Sequence, residues 1–210
     1  MIAMMLLAAA APTAVDAEFA FARDAQHSGQ WTAFRTWADH DAVMFTPKAV
    51  WARDFLEGRK DPPKAIRWRP SDSFVSCDGH TAVNTGPWFE TNGELGGYFT
   101  TVWQWTNHRW RWAYDGGVPR GKDTRTSSAP PKIHHSSCAT RAPGPPIIPP
   151  PPLTPKQART TPEDNGRGQS ADKTLGWDWK VDKKDVRYFR VYSWNGYSYA
   201  QVLYNEIPPK

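Results

Sequence analysis

The sequence predicts an α+β fold, in which a curved antiparallel sheet packs on an N-terminal helix and a shorter helix, plus a small C-terminal β meander. Three observations predict it. Residues 96–117, GGYFTTVWQWTNHRWRWAYDGG, read as two long strands around a tight turn at Asn107 and His108. Residues 18–39 repeat apolar side chains at Phe19, Ala22, Ala25, Trp31, Phe34 and Trp37, close to the helical period. Prolines bunch between residues 119 and 162, with four in a row at 149–152, which separates a large ordered piece from a small one.

Taken in order, residues 1–11 are an apolar run, MIAMMLLAAAA, too short to span a bilayer. Small residues follow, and Val15 with Ala17 suits a signal-peptidase site, so residues 1–17 are expected to be a secretory signal peptide. The first helix starts at Glu18, with Gly29 as a break. DAVMFTP at 41–47 reads as a short strand closed by proline, and AVWARDFLEG at 49–58 as a second helix with Gly58 as its C-cap. FVSC at 74–77, an Asp78-Gly79 turn and TAVNT at 81–85 make a hairpin; Asn92-Gly93 then turns the chain into the long hairpin.

Pairing across Asn107 and His108 places Trp105 opposite Trp110, Trp103 opposite Trp112 and Thr101 opposite Tyr114. One face then carries Phe99, Thr101, the four tryptophans and Tyr114; Val102 and Asp115 fall on the other. Residues 119–172 are expected to be an extended linker between a domain at 18–118 and an appendage at 173–210. The appendage shows an Asn195-Gly196 hairpin signal and three strands. Three strands alone are marginal, so it must dock on the first domain or on a partner.

A formal charge of +5, from 26 Lys and Arg against 21 Asp and Glu, is mild, and its cations are scattered. Nucleic-acid binding requires them clustered, so no nucleic-acid partner is expected, and no membrane partner once the leader is removed. The two cysteines, Cys77 and Cys138, are an even pair in a chain read as exported, which predicts a disulfide tying the linker to the Asp78-Gly79 hairpin. His134, His135 and Cys138 fall short of the four ligands of structural zinc, so neither metal nor other cofactor is expected.

The ADHDAVMF, Gly58-Arg59, TGPW and GYFTTVWQWTNHRWRWAYDGG segments together resemble the nuclear-transport-factor-like cone fold. More narrowly they resemble SnoaL-like domains of unknown function, relatives of polyketide cyclases and steroid isomerases. The resemblance implies a conical pocket between the first helix and the concave sheet face, and a convex face on which two copies can pair. The steroid-isomerase base position, counted from Asp41 and Ala42, falls at Thr46. Threonine abstracts no proton at neutral pH, which argues against that reaction.

Three function classes follow. The first is an exported protein, periplasmic or secreted, binding a small hydrophobic or aromatic ligand among Phe45, Trp51, Trp88, Trp103, Trp112 and Tyr114. The second is an isomerase, cyclase or dehydratase using Asp41, His80 or Asp115. The third is a cell-envelope interaction module working through the aromatic C-terminal strands.

Overall fold

A computed structural model describes residues 11–120, 129–139 and 164–209. Helices α1 (Ala14–Ser28) and α2 (Gln30–Trp37) lead into strands β1 (Ala38–Phe45) and β2 (Ala49–Trp51), the one-turn helix α3 (Ala52–Leu56) and β3 (Arg67–Trp68). Strands β4 (Asp72–Val75), β5 (Thr81–Phe89), β6 (Leu95–Thr106) and β7 (Arg109–Pro119) complete the meander, and β8 (Lys132–His135) follows. Strands β9 (Asn165–Gln169), β10 (Leu175–Val181), β11 (Arg187–Trp194) and β12 (Tyr199–Ile207) form a second sheet. The large sheet runs β2-β1-β7-β6-β5-β4-β8, with β3 also on β5. This is the cone-shaped α+β layout expected from the sequence.

The helix breaks at Gly29 for a visible reason. Its φ is +103°, and a Cβ there would sit 2.3 Å from the Asp61 carboxyl carbon. That carboxylate caps α2 from a distant loop, accepting from the Trp31 and Thr32 amides at 2.5 and 3.0 Å.

Four expectations change. First, α1 begins before Glu18. Thr13 and Asp16 form a reciprocal capping box, Ala14 and Ala17 are 4% exposed, and the Pro12 carbonyl accepts from the Trp110 indole. Cleavage after Ala17 would remove the cap and first turn of this packed helix. Second, Ala49–Trp51 is strand rather than helix, because Ala49 and Val50 pair back onto Phe45 and Met44. Third, the stretch expected to be linker contributes structure. Lys132–His135 adds a parallel strand beside β4, and Asn165–Gln169 makes the C-terminal sheet four-stranded. Its residues 121–128 and 140–163 lie outside the described residues.

The fourth change decides the site. Trp105 pairs with Trp110 and Trp103 with Trp112 as expected, around Asn107 and His108 at φ +50° and +60°. The register then shifts: Val102 meets Tyr114, and Thr101 meets Asp115. One extra residue, Ala113, forms a bulge that turns the rest of β7 over. Asp115 moves to the helix side and Tyr114 to the opposite side.

Each side has its own core. Phe21, Phe34, Met44, Trp68, Trp103 and Trp112 fill the space between helices and sheet. On the other face Val43, Val83, Val102 and Tyr114 pack against Leu175, Trp177, Trp179, Phe189 and Val191 of the C-terminal sheet. The appendage therefore docks on its own chain and covers the face expected to pair two copies. The junction is fastened further. Asp78 N donates to the Asp172 carboxylate, Cys77 N to Thr174 Oγ1 and Ser137 N to Trp194 O. The disulfide between Cys77 and Cys138, whose Cα atoms are 5.2 Å apart, sits among them.

Candidate functional site

A pocket of about 370 Å³ opens between the mouth of the cone and the edge of the C-terminal sheet. The cone supplies Phe34, Phe45, Ile66, Trp88, Phe99 and Asp115; the second sheet supplies Val181, Arg187 and Ile207. Its volume lies at the lower end of the range for small-molecule sites, roughly 300–1,000 Å³. The Trp88 ring is seated by Gly96, where a Cβ would lie 2.1 Å from it. Lys48, Asp164 and Asp185 stand exposed at the rim.

The sequence-derived site residues separate into groups. Phe45 and Trp88 line the pocket. Trp103 and Trp112 are fully buried beneath it, as part of the core under the helices. Tyr114 and Trp51 belong to the opposite core, against the C-terminal sheet. Of the three candidate proton carriers, Asp115 lines the pocket; Asp41 is exposed and bonded to His40, and His80 is exposed at the β4–β5 turn. Thr46 is exposed in the β1–β2 turn, where its amide donates to Lys48 O. His134 pairs with Asp72 at 2.9 Å and stacks on Phe74. Among the described residues no group of three or more metal-ligating side chains converges.

Two acids dominate the electrostatics, Glu18 fully buried and Asp115 half-buried against the pocket. Glu18, fully buried on α1, accepts from Trp68 Nε1 at 2.8 Å, Trp103 Nε1 at 2.6 Å and Asn84 Nδ2 at 3.2 Å. Burial pushes its carboxyl up to about 7, against the downward pull of those three donors. Asp115 accepts from Thr101 Oγ1 at 3.0 Å. Burial first, and the charge of Glu18 second, raise it to about 7, while Thr101 and the Arg187 charge pull the other way. Sequence reasoning passed over Glu18 and Arg187. The signals were an acid within the apolar stripe Ala14, Ala17, Phe21 and Ala25, and an arginine in step with Phe189 and Val191 on one strand face.

These shifts set a pH profile. Both carboxyls bind a proton more tightly folded than unfolded, where they titrate near 4.5 and 3.8. Their contribution is therefore fully present below about pH 4 and lost as pH rises through 7. Asp16, Asp61, Asp172 and Asp182 are lowered instead, and their contribution disappears below their ordinary range. Thermal unfolding should give a maximum Tm near pH 5 and a steady fall from there to pH 8.5. A Tm that climbs from pH 5 to pH 8.5 would contradict these assignments, and Glu18→Gln should flatten the slope.

No protein-family model and no curated protein matches the sequence. Among solved structures, the chain is similar to a nuclear-transport-factor-2-like protein of unknown function from Shewanella oneidensis, at 14% identity and TM-score 0.39, over 48% of this chain and 93% of that one. It is similar to a DUF3225-family protein of unknown function from Pectobacterium atrosepticum, at 16% identity and TM-score 0.40, over 51% and 88%. A candidate ketosteroid isomerase from Shewanella frigidimarina is similar at 13% identity and TM-score 0.38, over 51% and 97%.

Proposed function

We propose that this protein binds a small hydrophobic or aromatic molecule in the pocket between the cone and the C-terminal sheet. The observation that carries the reading is the pocket itself, whose walls are largely aromatic and aliphatic, with Asp115 and Arg187 lining it and Lys48, Asp164 and Asp185 at its rim. The protein works in an oxidising compartment, outside the cytoplasm; the Cys77–Cys138 bridge supports this. Among the described residues no helix is long and apolar enough to cross a membrane.

The neutral fluorophore N-phenyl-1-naphthylamine tests the binding reading. It should bind with a Kd in the micromolar range, about −8 kcal/mol. Ile66→Trp, which fills the pocket from the loop before β3, should weaken binding at least tenfold while Tm changes little. Equal binding by this variant would place the fluorophore elsewhere and overturn the reading.

One observation favours catalysis as a second reading: Asp115 lines the pocket with a carboxyl raised to about 7, matched to proton transfer at neutral pH. In that case Asp115→Asn would keep fluorophore binding and abolish turnover of any substrate found.

A further inference from the structure

We infer that the ligand is a carboxylate, its acid group received by Arg187 and its aromatic or alicyclic body lying against Phe45, Trp88 and Phe99. The inference rests on the pocket being a binding site. Its basis is the unusual position of Arg187, which lies on the inward face of β11 in step with Phe189 and Val191 and lines the pocket at only 8% exposure. Nη2 donates to Gly117 O at 2.7 Å, and Nε has no hydrogen-bond partner. The guanidinium carbon lies 4.0 Å from the centre of the Phe45 ring. Among the described residues no carboxylate lies within ion-pair distance of it.

A guanidinium stays charged at any relevant pH, and a buried cation without a counter-ion is costly. The Gly117 carbonyl and the Phe45 face offset part of that cost, but neither neutralises the charge. The charges around it leave room for an anion. Asp115 spends one oxygen on Thr101 and is held towards its neutral form, Asp164 and Asp185 are exposed at the rim, and Lys48 stands beside them. A single planar guanidinium with apolar walls suits a planar monoanion, whereas a phosphate dianion requires more cationic groups. Arg187 comes from the C-terminal sheet, so the appendage completes the site in addition to covering the cone.

The test compares 1-naphthoate with neutral 1-naphthamide at pH 5.5, where Asp115 is held neutral and naphthoate is still an anion, for the wild type and Arg187→Gln, while following the Arg187 Nε–H signal by ¹H–¹⁵N NMR. Wild type should bind naphthoate about tenfold more tightly than naphthamide, the worth of one charge-assisted pair. Naphthoate alone should shift the Nε–H signal, and Arg187→Gln should reduce the preference to about one. Equal affinities with fluorophore binding intact would overturn the carboxylate assignment and leave the pocket standing. Failure of both naphthalenes and of the fluorophore would remove the pocket reading as well. A preference that persists in Arg187→Gln, or an unmoved Nε–H signal, would assign the anion to another group. If Arg187→Gln does not fold, the wild-type pair and the Nε–H signal decide.

Discussion

Glu18→Leu is expected to lower stability by roughly 3 kcal/mol, the cost of stranding buried donors. The indole N–H groups of Trp68 and Trp103 both end on this carboxylate, and Asn84 Nδ2 adds a third bond while also donating to Ala14 O. A leucine restores packing volume but offers no acceptor, so two indoles remain buried and unpaired. Glu18→Gln keeps one acceptor oxygen and should cost less, although its amide nitrogen must face a donor. The order wild type, glutamine, leucine in urea midpoints is the expected outcome. A leucine variant as stable as wild type would show that the core around Trp68, Trp103 and Asn84 does not depend on this acid.

Breaking the Cys77–Cys138 bridge is expected to have the largest effect. The bridge joins residues 61 apart, and closing a loop of that length restricts the unfolded chain by about 4 kcal/mol in the chain-entropy model. The loss should concentrate at the junction it fastens. Next to the bridge, Asp172 and Thr174 receive the Asp78 and Cys77 amides, and the segment after β8 bonds Trp194 through Ser137 N and Ala139 O. With reductant, or in Cys77→Ser with Cys138→Ser, amide exchange should accelerate first in β10 and β11 and only later in β5 to β7. Uniform acceleration across both sheets, or an unchanged unfolding midpoint, would contradict a stapled junction.

The sequence made the architecture legible wherever one strong local signal decided it. The Asn107-His108, Asp78-Gly79, Asn92-Gly93 and Asn195-Gly196 turns set the hairpins, and the tryptophan pairs set the first half of the long hairpin's register. The bulge at Ala113 was not legible, because no glycine or proline marks it and a strict period of two continues through it. That single residue exchanges Tyr114 for Asp115 on the pocket face, which is why an aromatic wall was expected where a carboxyl stands. Arg187 was hidden for a different reason. Its position on a strand face is readable, but what it faces depends on how the second sheet docks, a contact across 70 residues to Gly117. The helix start was obscured because an apolar, alanine-rich N-terminus reads equally as a leader and as the first turn of a packed helix.

Intermolecular NOEs from bound N-phenyl-1-naphthylamine test most directly whether the cone and the C-terminal sheet build the pocket jointly. The expected result is simultaneous contact with Trp88 and Phe99 on one side and with Val181 and Ile207 on the other. Contacts confined to the outer tyrosines Tyr188 and Tyr204, or no contacts at all, would contradict it.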